Sequence, residues 1–183
     1  SDLVGAGKPP EGGRFDGAAY ACYYGGPASG LVRNLKYRGV TRLSNLMARS
    51  MASAYAFIEP TGADCVVPVP MHPKRRRQRG FNHAELLARD VGKLLELPLL
   101  NALARTRNTR QQARLAGKER RTNMDGAFAL AGDVKGRRVL LIDDVCTTGA
   151  TANACAEALR QGGAQAVYLL CYAVAGEEKR VES

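Results

Sequence analysis

No stretch of this 183-residue sequence is apolar for long enough to cross a bilayer. The longest such run, VYLLCYAVA at 167–175, is less than half of the roughly 20 residues that a spanning helix needs. The N-terminus, SDLVGAGKPPEGGRF, lacks the basic stretch followed by an apolar one that marks a secretory signal, so no membrane insertion and a soluble, cytoplasmic protein are expected. A start at Ser1 without a methionine is expected of a processed or partial chain. There is no C-x-x-C pair. The five cysteines, Cys22, Cys65, Cys146, Cys155 and Cys171, are odd in number and widely spaced, which argues against a disulfide framework or a zinc ribbon. They are expected to be small buried hydrophobes, and Cys146 has no base partner in the sequence that would make it a nucleophile. Nor is there a G-x-x-x-x-G-K-[ST] loop, which excludes a Walker-type nucleotide site. The superficially similar GAGKPPEGG at 5–13 precedes no helix and reads as part of a flexible end over 1–14.

Acidic residues are also scarce relative to basic ones: 17 against 27, a formal charge of +10. The excess is concentrated. KRRRQR at 74–79 and RTRNTRQQARLAGKERR at 105–121 together hold 12 of the 27 basic residues, a density that points to an anionic partner. With 45% hydrophobic residues, the chain has enough apolar material for one ordinary core, and a single domain over 15–176 is expected, followed by a flexible tail at 177–183.

Apolar periodicity alternates along the chain between strand and helix. FDGAAYACYY at 15–24 is rich in strand formers and stops at GGP. Leu31 and Leu35, then Leu43, Met47 and Met51, recur at helical spacing and predict two helices, over 29–37 and 42–57. DCVVPVP at 64–70 predicts a strand broken off by its prolines, followed by a basic loop. Asn82 and Glu85 resemble a capping box for a helix carrying Ala84, Leu87, Ala88, Val91 and Leu95 on one face and ending before Pro98. From Arg105 to Asn123 no period is visible, and a long mobile loop is expected. RRVLLID at 137–143 predicts a strand buried on both faces. A helix through Ala152, Cys155, Ala156 and Leu159 follows, and then a strand at 166–174. The alternation implies an α/β fold with a mainly parallel sheet.

One segment carries chemistry. In VLLIDDVCTTGAT, 139–151, the buried strand runs into two adjacent carboxylates and then into a hydroxyl-rich turn that opens a helix. Ligands of open parallel sheets sit beyond the carboxyl ends of the strands, where Asp143 and Asp144 fall. Two neighbouring carboxylates there repel and lose solvation, so a cation or a set of hydroxyl donors must offset them. The following backbone N–H groups, the helix dipole and the hydroxyls of Thr147, Thr148 and Thr151 favour a phosphate, with Gly149 permitting close approach. A ligand with a phosphate at one end and a vicinal diol nearby, such as ribose 5-phosphate, satisfies both halves.

At these residues the chain resembles the phosphoribosyltransferases, and more closely the competence-protein-F-like (ComF-type) group. LKYRG (35–39), VVPVPMHPKRRRQRGFNHAELLA (66–88), RTRNTRQQARLAGKERRTNMDGAF (105–128) and GRRVLLIDDVCTTGATANACAEAL (136–159) resemble that group in this order. The resemblance implies a phosphoribosyltransferase-type, Rossmann-like, mainly parallel sheet flanked by helices, with a small N-terminal hood. It implies a glycosyltransferase that binds phosphoribosyl pyrophosphate (PRPP), or a nucleotide 5-phosphate, and that is associated with DNA uptake. Asp143 and Asp144 would take the ribose diol. Val145, Thr147, Thr148, Gly149, Ala150 and Thr151 would line the 5-phosphate site. Met71, His72, Lys74 and Arg75 would form the pyrophosphate turn, through an unusual backbone geometry after Pro70. The group usually carries cysteine pairs in an N-terminal zinc-binding segment; these are absent here, so zinc is not expected. Some relatives have an acid where Thr147 stands, so no base acting on the acceptor carries over.

The chemistry so implied is magnesium-assisted loss of pyrophosphate from ribose C1, with attack by a nitrogen nucleophile. Mg²⁺ would bridge substrate oxygens and meet Asp143 or Asp144 through water at most. Lys74, Arg75 or Arg79, with Arg114 and Lys118 from the mobile loop, would neutralise the leaving group. Tyr37 or Phe81 could stack on a base, and His83, at a helix start, reads as structural. The competing reading is a binding module, either a PRPP or nucleotide sensor or a single-stranded DNA binder, although interleaved aromatics are few.

Overall fold

The computed structural model describes residues 5–7, 15–38, 40–58, 62–106 and 126–175. In chain order the elements are β1 (Gly5–Gly7), β2 (Gly17–Tyr23), α1 (Gly26–Tyr37), α2 (Leu43–Tyr55), β3 (Cys65–Pro68), α3 (Pro73–Arg79), α4 (His83–Leu95), β4 (Leu103–Arg105), β5 (Phe128–Leu130), β6 (Arg138–Cys146), α5 (Ala150–Gln161) and β7 (Ala166–Val174). The main sheet has the order β1-β2-β7-β6-β3. β2, β7, β6 and β3 are parallel, and β1 alone runs antiparallel, at the edge beside β2.

β6 lies between β7 and β3, and Val139 to Ile142 are fully buried. Its continuous apolar run follows from the two-residue period of a strand whose faces are both covered. Val139 and Leu141 pack with Cys155, Ala156 and Leu159 of α5 on one face. Leu140 and Ile142 pack with Met47 and Met51 of α2 and Leu87 and Val91 of α4 on the other. At roughly 1.5–3 kcal/mol per fully buried aliphatic side chain, these layers fix where the carboxyl end of β6 sits. α4 is anchored through its cap. Asn82, buried, accepts from the Ala84 N–H at 3.1 Å and donates to the Val69 carbonyl at 3.1 Å, tying the helix start to the chain leaving β3. Glu85, expected to complete a capping box, instead pairs with Arg76 at 3.1 Å.

Three expectations change. The basic loop after β3 contains the helix α3. It has no apolar face and no buried residue, so periodicity could not reveal it; Pro73 starts it, the His72 ring accepts from the Lys74 N–H at 3.2 Å, and left-handed Gly80 ends it. Gly5–Gly7, expected within a flexible end, pairs with β2, because the backbone groups of an edge strand need no particular side chain to be matched. Arg105, expected to begin a loop, ends the strand β4, which pairs antiparallel with β5 in a separate two-stranded sheet. Thr106 continues the pairing through its N–H to the Ala127 carbonyl at 2.9 Å, while the rest of the expected loop, 107–123, and the expected flexible tail at 177–183 lie outside the described residues. Among the described residues no helix is long and apolar enough to cross a membrane.

Candidate functional site

β6 delivers Asp143 and Asp144 to the carboxyl edge of the sheet, both buried. Strand alternation separates their surroundings. Asp144 follows Leu140 and Ile142 toward the helices α1 and α4. There Lys36 Nζ lies 2.5 Å from Oδ2 and His83 Nε2 lies 3.5 Å from Oδ1. Asp143 follows Val139 and Leu141 toward α5, where its charge is felt by Cys155 and Arg105, while its Oδ1 accepts the Asp144 N–H at 2.9 Å.

The two acids are therefore driven apart. Burial and the Asp144 charge push Asp143 well above the ordinary carboxylate range. Burial alone would raise Asp144 too, but the His83 hydrogen bond and charge, together with Lys36, outweigh it and hold Asp144 low. Burial opposes the charge on Lys36, and the Asp144 carboxylate overcomes this and raises the ammonium above its usual value. A proton entering the pair goes to Asp143, leaving Asp144 as the anionic acceptor.

Beyond the pair, Val145 is half-buried and Thr147 and Thr148 are exposed. Gly149, at φ 75°, turns the chain into α5, whose first turn has neither a side-chain cap bond nor an acidic residue. Ala150 and Thr151 are half-buried there, and the Ala150 N–H reaches the Thr148 hydroxyl only at 3.4 Å. The Gly149 N–H is directed at Cys146, whose thiol is lowered chiefly by a hydrogen bond from Cys171 despite burial, with help from Tyr20 and that amide. The first turn of α5 thus carries neither a side-chain cap nor an acid to offset the positive end of the helix dipole.

The other expected residues line the same side of the fold from α3. Met71 and His72 are half-buried, and Lys74 is exposed. No cis bond or positive φ occurs from Pro70 to Lys74, and His72 is extended (φ −59°, ψ 137°), so the unusual geometry expected after Pro70 is absent: Pro73 at the start of α3 fits a normal extended residue before it. Arg75 is close enough to Arg105 to lower it, after burial, while Arg105 also lies over the Phe128 ring, 5.3 Å from its centroid. Arg79 lies over the exposed Tyr37 ring at 4.8 Å. Arg114 and Lys118 lie outside the described residues.

The family described as phosphoribosyl transferase domain matches residues 78–183, a span that includes both acids and the turn after them. The chain belongs to this family. Competence protein F of Haemophilus influenzae is 33% identical over 153 residues, 79% of this chain and 67% of that protein. DNA utilization protein YhgH of Escherichia coli K12 is 32% identical over 153 residues, 81% of this chain and 67% of that protein. These relatives make it a ComF-type member. Among solved structures, the glutamine PRPP amidotransferase from B. subtilis, complexed with ADP and GMP, matches 69% of this chain with 20% identity and a TM-score of 0.45. The chain spans 25% of that enzyme, and the likeness is too loose to bear on the site.

One atom each from His83, Asp143 and Asp144 lie within 4.8 Å of one another, a spacing suited to a divalent ion. The ammonium of Lys36, however, is already on Asp144. A protein-held Mg²⁺ does not fit while that ammonium stays, because two cations would share one carboxylate. Lys36 is the residue that sequence reasoning passed over, although LKYRG contains it. Its signal was its position, one turn after buried Val32 and beside buried Leu35, which puts an ionisable group on the core side of α1. His83, read as structural, meets Asp144 directly.

Proposed function

We propose that the chain binds PRPP and transfers its phosphoribosyl group to a nitrogen nucleophile. The observation that carries this reading is the ionised Asp144 beside the uncapped start of α5, inside the span matched by the family. Asp144 would accept from the ribose hydroxyls, and Asp143, by accepting the Asp144 N–H, would fix the backbone from which that carboxylate projects. The first-turn amides of α5 and the hydroxyls of Thr147, Thr148 and Thr151 would hold the 5-phosphate. At roughly 1.5–3 kcal/mol per hydrogen bond to a charged group, three or four are enough for a monophosphate. Lys74, Arg75 and Arg79, with Arg105 behind Arg75, would draw off charge as the C1–oxygen bond to pyrophosphate breaks. Magnesium belongs to this proposal as a partner of the diphosphate oxygens rather than of the carboxylates.

Titration calorimetry with PRPP tests the reading. Saturable heat is expected in the wild type, together with a rise in Tm, and at least a tenfold weaker affinity in Thr148→Ala/Thr151→Ala. Absence of heat and of thermal shift in the folded wild type refutes it.

A second reading has its own observation: α3 carries five cations and buries no side chain, and Arg79 rests on an exposed Tyr37. Such a surface suits single-stranded nucleic acid, with Tyr37 as a stacking platform. On this reading, binding of an oligonucleotide falls steeply with salt and survives the threonine substitutions.

A further inference from the structure

We propose that Lys36 is a built-in counter-ion that keeps free divalent cations off the acid pair, so that a metal enters this site only on a ligand that displaces the ammonium. Three observations carry it. The ligand atoms of His83, Asp143 and Asp144 are close enough together to share one ion. The Nδ1 atom of His83 is buried with no hydrogen-bond partner among the described residues, so its ring is held toward Asp144 by position and not by a second hydrogen bond. And Lys36 Nζ stands 2.5 Å from Asp144 Oδ2, from a side chain only 22% exposed that reaches in from the last turn of α1.

An acid pair in low dielectric attracts any cation that reaches it, and an ammonium tethered by α1 is present at far higher effective concentration than a solvated ion. A divalent ion that entered beside Lys36 would meet a unit positive charge a few ångströms away in a site with little water to screen it. Removing the ammonium and leaving the carboxylates reverses the balance. His83 and the two acids then form a nitrogen-and-oxygen donor set of the kind that first-row divalent metals accept. The part of the statement concerning order of entry rests on the PRPP reading; exclusion of free cations does not, and it can be tested with a metal alone.

The probe is Mn²⁺, read in two ways: loss of the free-ion electron paramagnetic resonance signal, and broadening of histidine ring protons. The chain has two histidines, so His72→Gln assigns the remaining resonance to His83. Wild type and Lys36→Arg are expected to leave the His83 signal sharp. Lys36→Met is expected to bind Mn²⁺ on the order of a hundredfold more tightly than wild type and to broaden His83 selectively. Adding Asp144→Asn to Lys36→Met is expected to abolish that gain. Should Lys36→Met fail to fold, Lys36→Gln serves in its place, and the wild-type measurement stands alone. The proposal is overturned if wild type binds Mn²⁺ at His83 as tightly as the lysine variant, if neither lysine variant gains affinity, or if the gain survives Asp144→Asn. Each of these results is independent of whether PRPP binds.

Discussion

Removing both partners of the Lys36–Asp144 pair should cost far less than the sum of removing each alone, and the size of the shortfall follows from the site. Breaking a buried ion pair by deleting one side typically costs ~3–5 kcal/mol, because the other charge is left without compensation. Here Asp144 keeps His83 at 3.5 Å and Lys36 is 22% exposed, so the low end applies. Lys36→Met should therefore cost about 3 kcal/mol. Asp144→Asn, which strands a partly hydrated ammonium, should cost about 2 kcal/mol. The double variant leaves neither member of the pair without the other and should lie close to the milder single, giving a coupling energy of about 3 kcal/mol. Urea titration at neutral pH measures all four proteins. In a thermal melt, the lysine variant should lose roughly 6–12 °C for a domain of this size.

The pH dependence gives an independent sign. The lowered Asp144 contributes stability that is present above the unfolded carboxylate value, about 3.9, and is lost as pH falls through its folded value. The raised Lys36 contributes stability that is present below the unfolded lysine value, about 10.4, and is lost as pH rises through its folded value. The gap between wild type and Lys36→Met should be flat from about pH 5 to 9 and shrink at both ends. An additive cycle, within about 0.5 kcal/mol, or a gap that widens in acid, would refute the pairing.

Three further outcomes follow from packing and backbone. Asn82→Ala removes the cap of α4 and leaves the Val69 carbonyl without its donor, so a loss of about 2 kcal/mol is expected by denaturant unfolding; a change under 0.5 would contradict both bonds. Gly92→Ala places a Cβ 2.7 Å from the Leu97 carbonyl oxygen, a backbone atom that cannot swing aside, and should cost about 1–3 kcal/mol despite alanine's better helix propensity. Gly149→Ala forces a left-handed alanine at φ 75°, costing about 1–2 kcal/mol in stability and, under the PRPP reading, at least tenfold in affinity; equal affinity for PRPP would separate the turn from the ligand.

What could be read in advance divides by physical cause. β6 and α4 were legible because burial imposes a period. Val139 to Ile142 form an unbroken apolar run, and Ala84, Leu87, Ala88 and Val91 repeat at helical spacing above a capping asparagine. The acid pair and the threonine turn were legible as a motif, since every residue type in it has a local role. α3 was not, because a seven-residue helix with no buried side chain has no period to find; only Pro73 and Gly80 mark its ends. β4 and β5 were hidden because three-residue strands gain identity only from a partner distant in sequence. For the same reason Lys36 and His83 could not be joined to Asp144, although each stands on an element that was correctly expected.

The same contacts explain why those three residues belong to one device. α1 ends with Lys36 turned inward to Asp144 and its neighbour Tyr37 turned outward under Arg79 of α3. α4 begins with His83 on the same carboxylate, and its Glu85 holds Arg76 of α3. Three helix ends thus meet at the edge of β6, and α3, with five cations and no buried side chain, touches the other two through the Arg76–Glu85 ion pair and the Arg79–Tyr37 ring contact. A ligand that took Asp144 from Lys36 would free an ammonium on the last turn of α1, where consecutive residues cannot move independently. The Tyr37–Arg79 contact would feel the change, and the cations of α3 would be free to turn toward the ligand's negative charge. On the PRPP reading, filling the site at Asp144 would in that way be coupled to the basic residues of α3 through a single helical turn of α1.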